Sequence, residues 1–379
     1  MENEVNHQSG SINGDSNYRK TNVKETLKKD LTLPNLRCVI LVTLLFTSSF
    51  IIYSFKVVMV TEPQYLALKI PYLHRESNIS NRGTGTTLTC TNYSDKCVTF
   101  GSAISVDKKR YLCPNFEGRL GNIMFIYAST YGIAFDHNFT VVVSRRNELY
   151  EGFENIPVQY LSTCNCSDDA QFIQEKFPRI HEKFNFSIKH TVYRIKGFLQ
   201  SWKYFKRSFA DIKQQFVFKQ SIRTKVRKTL QGLALSMFPN KTVTTVGIHV
   251  RRGDFVREHL VVPKKEYFDR AKQYFLNKYQ NVLFIVATSP IEEDRKWCKD
   301  HIMNGNGKAV FSGFNDRYED MAILTMTDHV ITSVGTFGWW SGFLNNGTVI
   351  YYDWIPKDHR RFNRNDYVIP SWIGLKPNT

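Results

Sequence analysis

The sequence predicts an α/β protein with parallel sheets, Rossmann-like in its C-terminal half and preceded by one membrane-spanning helix. Two observations carry the prediction. The last third alternates continuous apolar strands with amphipathic helical stretches, the pattern of repeated βα units covered on both faces. Near the N-terminus, Cys38 to Phe55 runs without a charge, which as helix spans about 27 Å, close to a bilayer core.

Residues 1–36 are polar, rich in Asn, Ser and Lys, and read as a cytosolic tail. Residues 37–60 form the transmembrane signal-anchor, with Lys56 near its end able to snorkel. Arg19, Lys20, Lys24, Lys28, Lys29 and Arg37 precede the run, whereas only Lys56, Lys69 and Arg75 follow over the same distance. That bias places the N-terminus in the cytosol. A cleaved signal peptide fits poorly, because the run starts late and lacks a small-x-small cleavage site. Residues 61–105 carry Ser, Thr, Gly and Asn with scattered apolar residues and read as a stem.

Asn-x-Ser/Thr sequons begin at Asn78, Asn92, Asn138, Asn165, Asn185, Asn240 and Asn346, all after the apolar run. Their one-sidedness suits a lumenal, glycosylated body. The net charge of +17 admits nucleic acid, anionic membrane or acidic small molecules as partners; a lumenal location removes nucleic acid. Cys38 sits at the membrane edge, and Cys90, Cys97, Cys113, Cys164, Cys166 and Cys298 form an even lumenal set suited to structural disulfides, with pairing open. No Cys or His spacing resembles a zinc site.

The body divides at about residue 240. In residues 106–240, Leu120–Phe135 and Arg223–Met237 read as helices, and Thr140–Ser144 and Val192–Leu199 as strands. In residues 241–379 the expected strands are Val243–Val250, Asn281–Thr288, Lys308–Ser312, His329–Ser333 and Thr348–Asp353. Between them lie helices at Pro263–Tyr279, Ile291–Ile302, Tyr318–Thr327 and Gly335–Leu344. The Gly-x-Gly-x-x-Gly fingerprint of dinucleotide binders is missing from this half.

Three stretches carry candidate chemistry. His249-Val-Arg251-Arg252-Gly-Asp254 ends a strand and delivers paired guanidinium groups to the crevice where ligands of open α/β sheets bind. Such forks suit a phosphate or diphosphate. Gly118-Arg119-Leu-Gly121-Asn122 is a glycine turn before a helix, which lets backbone N–H groups approach an anion. Ser333-Val-Gly335-Thr336-Phe337-Gly-Trp339-Trp340 opens a helix after a strand and supplies hydroxyls and close backbone approach. Trp339 and Trp340 read as helix core rather than as a sugar platform. Asp320 begins the preceding helix; a carboxylate there either accepts N1–H and N2–H of guanine or simply complements the helix dipole.

Together, Gly118–Ala128, His249–Phe255 and Tyr318–Trp340 resemble the alpha-1,2-fucosyltransferase family, the galactoside 2-L-fucosyltransferases. The likeness runs from about Tyr111 to Trp354, with Ile123 where the family usually has Gln and Phe255 where it usually has Tyr. The resemblance implies a two-lobed GT-B-like architecture, with acceptor-side residues 106–240 and a GDP-fucose-binding lobe at 241–379. It implies Golgi location as a single-pass type II protein, inverting transfer from GDP-fucose to the 2-hydroxyl of a galactose-terminated glycan, and no metal cofactor. By similarity Arg251 grips the β-phosphate with Arg252 in support, His249 and Asp320 contact the guanosine, and Ser333, Gly335, Thr336 and Phe337 hold the diphosphate from the other side, with Gly118, Arg119, Gly121 and Asn122 completing the donor site.

No Asp-x-Asp occurs in the chain, so the usual metal–diphosphate clamp is missing and arginines with helix N-termini are expected to stabilise the departing nucleotide. Asp254, His249 and Glu258 are candidate bases; Asp254 alternatively anchors the arginines. Two other readings are a fucosyltransferase of different linkage, such as an alpha-1,6 type, and a membrane glycoprotein that binds sugar nucleotide or glycan without catalysis.

Overall fold

The computed structural model describes residues 109–143, 147–157, 170–354 and 361–377. The expected tail, membrane span and stem lie outside these residues, as do Asn78, Asn92, Asn165 and five of the cysteines. Among the described residues no helix is long and apolar enough to cross a membrane.

Two parallel sheets organise the body. The first contains β1 (Tyr111–Pro114), β2 (Thr140–Val141), β3 (Gln171–Gln174) and β4 (Val192–Lys196) in the order β2-β1-β4-β3. The second contains β5 (Thr244–Val250), β6 (Val282–Thr288), β7 (Lys308–Phe311), β8 (His329–Thr332), β9 (Val349–Tyr352) and β10 (Ile373–Leu375) in the order β10-β9-β8-β5-β6-β7. All pairings in both sheets are parallel.

The second sheet follows from its sequence. Burial does not alternate along β6 or from Val246 to Val250 of β5, because helices cover both faces: Val246, Ile248, Leu283, Phe284, Ile285 and Val286 are fully buried. The order places β5 next to both β6 and β8, so the chain reverses direction of travel across the sheet at β5. Ligands of such sheets bind at this switch point.

Ten α-helices frame the sheets among the described residues. They are α1 (Leu120–His137), α2 (Leu149–Gly152), α3 (Phe209–Gln215) and α4 (Gln220–Met237) in the first half. The second half adds α5 (Gly253–Arg257), α6 (Lys265–Lys278), α7 (Glu292–Cys298), α8 (Arg317–Met326), α9 (Thr336–Leu344) and α10 (Arg364–Tyr367). The helix expected to Ile302 is α-helical only to Cys298 and continues as one π turn, Lys299–Met303. The strand expected to Leu199 stops at Lys196, because Gly197 takes φ +135° and Leu199 φ +48°, values no strand accommodates.

The sheets share a core. Phe125 of α1 packs on Trp339 and Trp340 of α9, with ring centroids 4.4 and 5.1 Å apart. Phe205 stacks on Trp340 at 5.8 Å. Trp340 is fully buried and its Nε1 donates to the Gly121 carbonyl at 2.9 Å. Both tryptophans are therefore core, as their sequence context predicts.

The end of the chain returns to the first half. Asp366, buried, accepts Lys203 Nζ at 2.6 Å and the His181 amide at 2.9 Å, while its carbonyl accepts Ser201 Oγ at 2.8 Å. Cys113 is disulfide-bonded, whereas Cys298 is free and buried, so the even cysteine set does not pair completely. Burial pushes the Cys298 thiol up to about 12, which leaves it inert. The described sequon residues Asn138, Asn185, Asn240 and Asn346 are all exposed.

Candidate functional site

At the end of β5 the chain turns out of the sheet. The Arg251 amide donates to Ser333 Oγ at 2.8 Å, tying the β5 terminus to the β8 terminus. The Arg251 guanidinium then donates through Nη2 to Asp254 Oδ2, also at 2.8 Å. Arg119, from the turn before α1, brings Nη1 to 3.5 Å of the same oxygen. Two arginines far apart in sequence thus converge on one carboxylate. The Arg119 pair is largely exposed and worth at most about 1 kcal/mol; its importance is positional.

Two helix N-termini meet beside this cluster. A Cβ on Gly121 would lie 2.7 Å from Thr336 Oγ1 and 2.8 Å from the Phe337 nitrogen, so only glycine lets the first turns of α1 and α9 touch. Thr336 Oγ1 donates to Asn122 Oδ1 at 2.9 Å, and Gln200 Nε2 donates to the same oxygen at 3.1 Å. Gly335, at φ +91°, caps α9 in a conformation that favours glycine. Gly118 turns the chain into α1 just before Arg119. The positive ends of both dipoles and two guanidinium groups therefore border one crevice, an arrangement that favours an anion. Arg251 Nε is buried and without a partner among the described residues. Burial pulls the Arg251 guanidinium below its ordinary value, and Asp254 opposes that shift.

His249 sits behind the arginine. Its ring stacks on Phe337 at 5.4 Å, and Nδ1 lies 3.1 Å from Ser333 Oγ. The Ser333 hydroxyl thus links the Arg251 amide to the imidazole, in a hydrogen bond whose direction follows the tautomer of His249. Burial, with Arg251 adding repulsion, drives the imidazole down to about 3. A group so weakly basic is a poor proton acceptor, so the expected catalytic role of His249 as base does not match its placement. It positions Ser333 and Arg251 instead. Asp254 likewise acts as an anchor, with Oδ1 accepting the Phe255 amide at 3.1 Å. Glu258 stands exposed just beyond α5.

Arg252 does not join Arg251. Its guanidinium carbon lies 4.1 Å from the centroid of Trp297 on α7. Successive residues leaving a strand point to opposite sides, and the second arginine is spent on the scaffold. Beneath it, the Gly253 amide donates to both oxygens of buried Asp294, at 3.1 and 3.0 Å. Asp294 has no motif around it that marks this role.

Asp320 lies apart from the arginines, in the first turn of α8 next to the end of β7. Ser312 Oγ donates to its Oδ1 at 2.6 Å. Burial pushes the carboxyl up to about 7, against the pull of Ser312. The sheet order puts this carboxyl two strands from β5, on the side opposite β8 and β9. Among the described residues no cluster of three or more His, Cys, Asp and Glu side chains forms a metal site.

Comparison with known proteins identifies the same stretch of chain. The family model for glycosyl transferase family 11 matches residues 80–376. The chain is 26% identical over 284 residues to galactoside 2-alpha-L-fucosyltransferase SEC1 of Bos taurus, covering 70% of this chain and 73% of that protein. To galactoside alpha-(1,2)-fucosyltransferase 2 of Sus scrofa it is 27% identical over 301 residues, covering 74% and 84%. Among solved structures it is similar to NodZ alpha-1,6-fucosyltransferase soaked with GDP-fucose, at 15% identity and a TM-score of 0.41 over 65% of this chain and 95% of that one.

Proposed function

The chain belongs to glycosyl transferase family 11, and on that footing we propose that it transfers L-fucose from GDP-β-L-fucose to the 2-hydroxyl of a terminal galactose, with inversion and without a metal. One observation carries the reading: Arg251 and Arg119 converge on Asp254 beside the touching N-termini of α1 and α9. This is a place built for a diphosphate.

The chemistry follows from that arrangement. Breaking the bond between the anomeric carbon and the diphosphate oxygen leaves positive charge on the sugar and negative charge on GDP. An oxocarbenium-like transition state needs little push from the acceptor. It needs the leaving oxygen held, and the buried, partnerless Arg251 Nε and the first amides of α9 offer donors there. Removing one such donor commonly costs about 3–4 kcal/mol. The acceptor hydroxyl attacks the anomeric carbon from the face opposite GDP, releases its proton to solvent as the new C–O bond forms, and so inverts the centre. Asp320, with Ser312, is suited to accept the N–H edge of guanine at the far end of the nucleotide.

The setting proposed is the Golgi lumen, with the Cys38–Phe55 run as a type II anchor and the exposed sequon asparagines as glycosylation sites. The test is GDP release from GDP-fucose and a β-galactoside in EDTA, with linkage analysis of the product. A 2-linked fucose is the expected product. Failure with every galactoside tried, or strict dependence on manganese, overturns the proposal.

A further inference from the structure

A cavity of about 170 Å³ opens next to the anion site. Ser333 and Gly335 line both, so the two spaces share a wall. Its other surfaces come from Phe255 on α5, Trp354 after β9, Phe362 before α10, and Arg179 from the first half. The cavity sits at the β8–β9 end of the sheet, whereas Asp320 and Ser312 sit at the β7 end. With the diphosphate at Arg251 and the base toward Asp320, this cavity lies beyond the sugar end of the donor.

The chemistry of its walls narrows the occupant. The rings of Trp354 and Phe362 are half-buried. The charged groups at the rim are already engaged. Asp353 accepts Arg364 Nη2 at 2.9 Å, and Arg179 Nε donates to Gln200 Oε1 at 3.1 Å with its guanidinium 5.5 Å from the Tyr367 ring. Flat aromatic faces with a polar rim match a neutral pyranose, which presents C–H bonds on one face and hydroxyls around its edge. Galactose, with its 4-hydroxyl axial, exposes such a C–H face.

We propose that this cleft is the acceptor subsite, where the terminal galactose of a neutral glycan stacks on Trp354 and Phe362 and turns its 2-hydroxyl toward the Ser333–Gly335 wall. The assignment rests on the fucosyl-transfer reading above. The link to Gln200 through Arg179 matters here too. Gln200 also holds Asn122, so the back of the acceptor cleft and the front of the donor crevice are braced by one side chain.

The experiment titrates lactose, the β-galactoside probe, into the full-length protein with GDP bound, and reads affinity by saturation-transfer NMR. GDP affinity is measured separately by calorimetry. Wild type is expected to bind lactose. Trp354→Ala and Phe362→Ala are expected to weaken lactose by about tenfold or more while GDP binding stays intact, and Trp354→Phe to recover most of the loss. Intact GDP binding shows that the variants have folded. Undiminished lactose affinity in both alanine variants, or no lactose binding by wild type, overturns the subsite. If lactose binds at these residues but no fucose is ever transferred to it, the subsite stands and the fucosyl-transfer reading falls.

Discussion

Thr336 donates its hydroxyl to the side chain of Asn122 across 2.9 Å, though the two are 214 positions apart in the chain. Each lies in the first turn of its helix, so this bond registers one helix N-terminus against the other. The anion site exists only while that register holds.

Arg251→Ala is expected to lower kcat by about 10²–10³-fold, the usual cost of a lost donor to developing charge. Arg251→Lys does not restore it, because a point ammonium cannot reproduce the fork to Asp254 and a phosphate together. Arg252→Ala behaves differently. It loses the stack on Trp297, worth about 0.5–2 kcal/mol, and shows mainly as a lower melting temperature. Steady-state kinetics and thermal melts of the three variants separate the two arginines; equal loss of kcat in both alanine variants contradicts the geometry.

Gly121→Ala adds a methyl where Thr336 Oγ1 and the Phe337 nitrogen already stand. The helices must part, at a cost of about 1–3 kcal/mol. Turnover is expected to fall by about tenfold or more, because the donors move off the phosphate. An Ala variant with wild-type kcat and stability would mean that the helices are not in contact.

Asp320 titrates near neutrality, at about 7. Only the ionised carboxylate accepts two N–H groups from guanine, so acid removes the acceptor. GDP is expected to bind about tenfold more tightly at about pH 8 than at about pH 6. Asp320→Asn should flatten that slope and weaken selection of GDP over ADP, both measurable by calorimetry.

Glu175 is buried, with Oε2 accepting the Leu199 amide at 2.8 Å and Oε1 without a partner among the described residues. Burial, aided by the nearby Glu182 charge, pushes it from 4.5 to about 8, while the Leu199 and Phe198 amides pull the other way. The folded state therefore keeps a proton that the unfolded chain gives up. The stabilisation is complete below about 4.5 and is lost as pH climbs through about 8. Glu175→Gln, which keeps the shape without the titration, should show a melting temperature that falls less than wild type over that range.

Much of this was readable in the primary structure, for definite reasons. The strand β6 is an almost unbroken apolar run because both its faces are covered, and β5 sends Val246, Ile248 and Val250 into the same core, which leaves a legible pattern. The first sheet leaves little trace: β3 is Gln-Phe-Ile-Gln and mostly exposed, and β1 is four residues ending in proline. The crevice motifs flag themselves through glycine and arginine. Arg252 looks identical to Arg251 on paper, and only the direction of the chain leaving β5 tells them apart. Gln200 and Asp294 acquire meaning from distant partners such as Asn122, 78 positions away, and Gly253, 41 positions away, so no local pattern marks them.

The anchoring of Asp366 against Lys203, His181 and Ser201 has a consequence for biogenesis. Those partners are translated at least 163 residues before Asp366, so the surface they form stays unfinished until the ribosome has reached it. A premature stop shortly after Trp354 would spare every arginine and glycine of the crevice and still remove the carboxylate on which Lys203, His181 and Ser201 close, leaving a misfolding-prone polypeptide rather than a merely shortened enzyme.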